Sequence, residues 1–311
     1  MNILMINGTM RKSSTYRIAK MFVERVTLSK DTVTELFLPK DMPEFCRGCG
    51  LCITQGAKKC PDYFIYLRRI TRLIDEADLL VFATPTYVYH ATGQIKALLD
   101  HYGYRWMVHR PEGSMFQKQA VCFSTAAGGG MKYALKDITD SLKWWGVGRI
   151  YTYGVAVRSM KWDDVDKPIK DKIDKRVNEL MGKIIHERKK VMPSLRARAL
   201  FYLMRHMHRR AFMQQIDTDY WREMGWLGSK RPWMIQPPAA ESCPERLDLQ
   251  EQPGMQQPVR LEQADERNAD AQNPFTAEEI PDMAAEEYLS QEYVQERLPL
   301  EELLSEGRNI E

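Results

Sequence analysis

Four of the six cysteines fall within fifteen residues, in the stretch EFCRGCGLCITQGAKKCPD: Cys46, Cys49, Cys52 and Cys60. Their spacing is C-x2-C-x2-C-x7-C, with Pro61 directly after the last thiol. Three thiolates so closely spaced surround one small volume. A fourth a few residues on can close a cubane, and Cys-Pro is a frequent ending for ferredoxin-type ligands. Structural zinc usually wants two C-x2-C pairs separated by a longer gap. Gly48, Gly50 and Gly56 permit the tight turns a cluster loop needs. A [4Fe–4S] cluster on the four thiols is the first reading. A loop of reduced or redox-active thiols and a zinc site are the alternatives. Disulfides rank last. The opening MNILMING lacks the basic start of a secretory leader, and the longest apolar runs, such as ADLLVFATP, are too short to span a bilayer. A cytoplasmic protein without a transmembrane segment is expected, and there structural disulfides are rare. Cys122 lies within an apolar strand and reads as a small core residue.

Three other segments carry chemistry. NGTMRKSST joins a strand to a helix start and offers the hydroxyls of Thr9, Ser13, Ser14 and Thr15, with Arg11 and Lys12 beside them. Free N–H groups and the helix dipole favour a phosphate there. The absence of Gly-Lys-Ser/Thr argues against an ATP-type loop, and the absence of G-x-G-x-x-G against a dinucleotide fingerprint. A monophosphate ester fits better. TPTYVYH turns sharply after a strand and can lay amides and an aromatic ring against a flat heterocycle. TAAGGG puts small residues where something can approach the backbone.

These segments need a frame. NILMIN, TVTELFL, DLLVFATP, QAVCFSTA and RIYTYGVAV read as strands. Between them, residues 14–26, 63–76, 92–104 and 132–146 read as helices, and a long helix is expected over 163–190. Ser14 or Thr15 is the expected N-cap of the first. Strands alternating with helices mean a parallel sheet with right-handed crossovers, an α/β doubly wound fold. Ligands bind such sheets beyond the carboxyl ends of the strands, so the three loops should converge.

The net charge of +3 hides an asymmetry: residues 241–311 hold 19 acidic side chains, five Arg and no Lys. Three regions are expected. Residues 1–190 form the α/β domain with the cysteine loop at 46–60, 191–235 a basic helical extension, and 236–311 an acidic tail whose composition predicts disorder. In SLRARALFYLMRHMHRRAFMQQ, Leu200, Leu203, Met204, Met207 and Ala211 are expected on one face, with solvated Arg198, Arg205 and Arg209 on the other. Packing on the domain or a neighbouring subunit is the preferred reading. An anionic membrane surface, nucleic acid and the acidic tail are the alternatives. No nucleic-acid partner is adopted.

Taken together, the loops resemble those of the flavodoxin-like NAD(P)H-dependent FMN reductases, in particular the branch of iron–sulfur flavoproteins and their multimeric relatives. That family's Gly-Ser-Pro-Arg-x-x-Ser-Asn-Thr loop is matched by Gly8-Thr9-Met10-Arg11-Lys12-Ser13-Ser14-Thr15. Its Ser-Pro-Val-Tyr loop is matched by Thr84-Pro85-Thr86-Tyr87, and its Lys-Ala…Asp helix by Ile95 to Asp100. His109, Arg110, Pro111 and Lys118, and DYWREMGW from Asp219 to Trp226, resemble a sub-branch. The likeness covers roughly residues 1–235. Thr9 for Ser keeps a hydroxyl; Met10 for Pro removes a φ constraint.

The resemblance implies a five-stranded sheet in the order 2-1-3-4-5. It implies FMN, with its phosphate on Thr9, Arg11, Ser13, Ser14 and Thr15. Pro85, Thr86 and Tyr87 would line the isoalloxazine, with Ala127, Gly128 and Gly129 on another edge. It implies NAD(P)H or a ferredoxin as donor, a quinone, nitro compound or redox protein as acceptor, and a homodimer or homotetramer. No side chain need act as acid or base, because the redox chemistry belongs to the flavin. The rival from another class is a non-enzymatic electron carrier or a cysteine-based redox sensor.

Overall fold

The chain divides into two units, Met1–Cys243 and Pro244–Glu311. The computed structural model describes residues 1–234 except 43, 109, 189 and 211. The acidic tail, Cys243 and His109 therefore lie outside the described residues.

Five strands form one parallel sheet: β1 (Asn2–Asn7), β2 (Thr32–Phe37), β3 (Leu79–Pro85), β4 (Gln119–Ala126) and β5 (Arg149–Ala156). Their order is β2-β1-β3-β4-β5, as the resemblance implies. Successive side chains point to opposite faces, and helices cover both, so β1, β3 and β4 are apolar on each. Ile3, Met5, Val81 and Phe123 pack against α1 (Ser14–Val26) and α6 (Lys167–Glu187) through Ile18, Phe22, Val177 and Leu180. Leu4, Ile6, Leu80 and Phe82 face α3 (Arg68–Glu76), α4 (Gly93–His101) and α5 (Met131–Trp144) through Ile70, Ile74, Leu98, Ile138 and Leu142. Cys122 is buried on this face, as expected of a core residue, and Trp145 is buried beside it. A short helix, α2 (Leu51–Thr54), carries Cys52.

Several boundaries differ from the periodicity. The first helix is preceded by Ser13 as N-cap, not Ser14 or Thr15, and no side chain caps it. The helix expected over 163–190 runs only from Lys167 to Glu187. Pro168 has no N–H and its ring excludes a preceding turn, so it belongs at the helix start. The segment 63–76 opens with a wide turn over Tyr63–Leu67 before α3 begins. α4 stops at His101, and residues Gly103–Val108 form 3-10 turns.

The extension contributes α7 (Leu195–Arg209) and α8 (Gln215–Glu223). Phe201, Met204, Trp221, Trp226 and Trp233 close around Phe116 of the α/β domain. Phe201 stacks on Trp221 with ring centroids 5.0 Å apart. Full burial of one such ring contributes roughly 1.5–3 kcal/mol. The arginines of the stripe, of which Arg209 is exposed, also bond back to the protein. Arg205 and Arg209 donate to the Leu227 carbonyl at 3.2 and 3.0 Å, and the Arg198 guanidinium lies 5.9 Å from the Trp233 ring. Leu203, expected on the packed face, is exposed. Helical spacing fixes where a Cα points; a guanidinium on a four-bond stem can fold back to a carbonyl.

Asp31 ties the strand edge to the end of α6. Its buried carboxylate accepts from the Met1 amine at 2.7 Å, from the Leu28 N–H at 2.8 Å and from Arg188. Burial alone would raise its pKa, but these donors outweigh it and hold the carboxyl at about 2. A carboxyl depressed on folding stabilises the fold above its unfolded value, and that stabilisation is lost as pH falls towards 2. Asp31→Asn is expected to cost roughly 1–3 kcal/mol at pH 7 and to flatten the acid limb. Urea midpoints measured from pH 7 down to pH 2 check both.

Candidate functional site

The exits of β1, β3 and β4 meet at the carboxyl edge of the sheet, as expected. Small polar residues lace them together. Thr92, the N-cap of α4, donates from Oγ1 to the Gly8 carbonyl at 2.8 Å, and its N–H donates to Thr84 Oγ1 at 3.1 Å. Thr15 of α1 and Thr125 of β4 share a buried hydroxyl contact of 2.6 Å. Thr86 and Ser124 share another at 3.0 Å. A Cβ on Gly8 would lie 2.6 Å from Thr92 Oγ1 and 2.8 Å from Ile95 Cγ1, so only glycine lets β1 leave beneath α4. None of Thr84, Thr92, Ser124 or Thr125 was marked by sequence reasoning as a site residue; threonines at strand ends and a helix cap were the available signal.

The first loop forms a polar cradle at the start of α1. Ser13 sits at the N-cap without a side-chain hydrogen bond, so the first N–H groups of α1 have no side-chain acceptor. The buried Ser14 Oγ has no hydrogen-bond partner. A buried hydroxyl beside uncapped N–H groups is what an anionic group would satisfy. Thr9 donates to the Arg11 carbonyl at 3.4 Å. Arg11 is exposed and donates to the Met160 carbonyl at 3.1 Å, which brings the loop after β5 to the cradle. The Lys12 ammonium turns aside to the rings of Tyr16 and Phe37, 5.7 Å from each.

The β3 exit forms a tight hairpin. Tyr87 and His90 exchange two backbone hydrogen bonds of 2.9 Å. Val88 and Tyr89 between them have φ of +47° and +65°. This is the primed turn that normally takes Asn-Gly, and a β-branched residue there is strained. Its tip holds Tyr87, Val88 and Tyr89 in solvent, and Pro85 and Thr86 are half-buried below. Gly130 at φ +91° abuts the hairpin: a Cβ there would lie 2.8 Å from Thr86 Cγ2 and 2.9 Å from Tyr89 Cα. Ala127, Gly128 and Gly129 are exposed, and a Cβ on either glycine would meet nothing within 4 Å. The close approach therefore falls at Gly130, and Gly128 and Gly129 border open space. His90 Nδ1 and the Ala91 N–H both lie 3.0 Å from Asp137 Oδ2, a dyad the sequence did not flag.

The loop that bears the four cysteines lies beside the end of α4, where Asp62 meets His101. Cys46 and Cys49 are exposed, Cys52 and Cys60 half-buried. Gly48, Gly50 and Gly56 all have positive φ, the turns expected of them. Burial pushes the Cys52 thiol up, and Cys60, Cys46 and Cys49 add to the rise as thiolates, so the four sulfurs lie within electrostatic reach. The Cys60 thiol is raised too, again chiefly by burial. No group of three or more His, Cys, Asp or Glu among the described residues stands in a metal-holding arrangement. One buried hydrogen-bonded pair and one buried ion pair fix the surroundings. Asp62 meets His101 Nε2 at 3.0 Å, and His101 Nδ1 meets the Ala97 carbonyl at 2.7 Å. Arg110 donates to the Ile53 carbonyl at 2.7 Å and pairs through Nε with Asp217 of α8 at 3.2 Å.

The family model for NADPH-dependent FMN reductases matches residues 1–158, about half of the chain. The protein belongs to this FMN reductase family. Two proteins of Archaeoglobus fulgidus bearing the name iron–sulfur flavoprotein are similar to it. One is 29% identical over 100 residues, covering 32% of this chain and 48% of the relative. The other is 26% identical over 196 residues, covering 59% and 80%. The chain thus spans about half the length of the first. Among solved structures, an NADH:FMN oxidoreductase in its apo form aligns at 19% identity and a TM-score of 0.43, covering 58% of this chain and 89% of its own. An FMN-dependent NADH-azoreductase from Bacillus anthracis in complex with FMN aligns at 13% and 0.44, covering 58% and 100%.

In this FMN reductase family member, three of the positions that resemble the sub-branch are buried in the protein. Lys118 is buried and donates to the Asp75 carbonyl at 2.7 Å, and burial pushes its ammonium down to about 8. Trp221 and Trp226 of the DYWREMGW segment belong to the aromatic core.

Gly8→Ala is expected to destabilise the fold by roughly 1–3 kcal/mol, because neither Thr92 nor Ile95 can retreat. Chemical denaturation checks it. A loss below a few tenths of a kcal/mol would mean that the edge is looser than its hydrogen bonds indicate.

Proposed function

We propose that the protein is an FMN-dependent oxidoreductase that passes electrons from NAD(P)H to a quinone, a nitro compound or a redox protein. We further propose that Cys46, Cys49, Cys52 and Cys60 hold a [4Fe–4S] cluster. The observation that carries the flavin reading is the buried, partnerless Ser14 hydroxyl at the uncapped start of α1. The residues fit a phosphate monoester. Thr9, Ser13 and Ser14 offer hydroxyls, the first turn of α1 offers N–H groups and a positive dipole end, and Arg11 stands nearby. Thr15 fixes the helix start through Thr125. Pro85, Thr86 and Tyr87 on one side, and Ala127, Gly128 and Gly129 on the other, would border a flat ring. The exposed Tyr87, Val88 and Tyr89 would give that ring an apolar rim. Bound FMN would supply the two-electron chemistry between nicotinamide and acceptor.

The cluster reading is supported by the donor set, the three left-handed glycines and the name carried by the Archaeoglobus fulgidus relatives. Arg110 and the Asp62–His101 pair would hold the loop's backbone on either side of it.

Ser14→Ala is expected to weaken FMN binding roughly tenfold or more, the loss of one hydrogen bond to a charged group, without lowering thermal stability. Titration of the apoprotein with FMN, followed by flavin fluorescence, reads this. Failure of the parent protein to bind FMN would sink the reading.

Protein purified without oxygen is expected to carry about four irons per chain, and Cys52→Ser to lose iron and keep flavin. Flavin without iron in the parent would remove the cluster and leave the FMN reading standing.

A further inference from the structure

From Arg188 to Ile216 the chain carries eight Arg and Lys and not one Asp or Glu. Among the described residues no other helix of this length is so one-sided. On α5, Lys136 and Lys143 both pair with Asp140; on α6, Arg176 pairs with Glu179. Within the basic stretch, Leu195, Ala199, Tyr202, Leu203, His206 and Arg210 fall in one stripe of α7, and all are exposed. Large apolar side chains stand in water there. Leu195 is 79% exposed, Leu203 55%, and Phe212, just past the helix end, 72%. The inner face of the helix is already spent on Ala197, Phe201 and Met204. Tyr202 bonds Arg231 through its hydroxyl at 3.2 Å, but Leu195 and Leu203 take no part in that inner packing, and Arg196 and Arg210 flank them.

We propose that this face of α7 docks on an anionic lipid surface, with Leu195, Tyr202, Leu203 and Phe212 entering the headgroup layer and Arg196 and Arg210 meeting acidic headgroups. A cationic helix face carrying Leu, Tyr and Phe is the chemistry of interfacial binding. Two other occupants fit less well. A second copy set face to face would bring arginine against arginine. Nucleic acid would call on the arginines, and Arg198, Arg205 and Arg209 are committed to Trp233 and the Leu227 carbonyl. The inference does not depend on flavin or cluster. Among the described residues no helix is long and apolar enough to cross a membrane, so the contact is with the surface.

The test is co-sedimentation of the full chain with phosphatidylcholine vesicles, with and without phosphatidylserine. The protein is expected to pellet with the serine-containing vesicles, not with the neutral ones, and to be released by salt. Replacing both Arg196→Gln and Arg210→Gln should weaken partitioning about 30-fold, at about 1 kcal/mol per basic residue. Leu195→Ser with Leu203→Ser should weaken it at least about tenfold, with the thermal melt unchanged because both side chains are exposed. Equal pelleting with both vesicle types, none with either, or variants that bind like the parent would overturn the proposal. So would a Leu203→Ser variant that splits an oligomer in sedimentation velocity without vesicles, since the face would then be a self-interface.

Discussion

One steric condition holds the ligand edge together: the backbone of residue 8 must pass within hydrogen-bonding distance of the Thr92 hydroxyl. With any side chain at Gly8 the first strand could not leave beneath α4. Given that passage, the remaining contacts follow in sequence. The Gly8 carbonyl holds Thr92, the Thr92 N–H holds Thr84 at the end of β3, and Thr86 reaches Ser124 of β4. Thr125 then reaches back to Thr15 at the start of α1. Three loops from distant parts of the chain become one rigid rim, and the start of α1 is aimed across it. Hydroxyls suit this task because each can donate and accept without bringing charge to the edge.

The sheet was readable because its strands are buried on both faces and so stand out as apolar runs ending at Gly8, Pro85 and Ala126. The loop chemistry was readable for a related reason: strand ends in a doubly wound sheet carry the ligand. What the sequence hid is how side chains are spent. Spacing could not reveal that Arg205 and Arg209 close on the Leu227 carbonyl, or that Leu203 points outward. Nor could it reveal that Gly130, and not Gly128 or Gly129, makes the close approach. The Asp137 contacts with His90 and Ala91, and the Arg110 bond to the cysteine helix, join residues more than forty positions apart. No local pattern announces such pairs.

The cysteine loop depends on the rest of the chain more than its compact spacing implies. One buried cation, Arg110, bonds the carbonyl end of α2 and pairs with Asp217 of the extension. Its partner is wholly buried, so losing Asp217 would remove the carboxylate that faces the Arg110 guanidinium, a cost on the order of 3–5 kcal/mol. The extension is thus part of the support for the sulfur-bearing segment, not an appendage to it.

Phe116 gives the same dependence a time axis. Its ring belongs to the α/β domain, yet it is covered by Phe201, Trp226 and Trp233, the last of them more than a hundred residues further along. A ribosome adding about 5–20 residues per second leaves that ring bare for many seconds after its own turn, just before β4, has been made. During synthesis the nascent domain therefore carries an open aromatic socket, and the chain's own carboxyl-terminal half is the plug that arrives late to fill it.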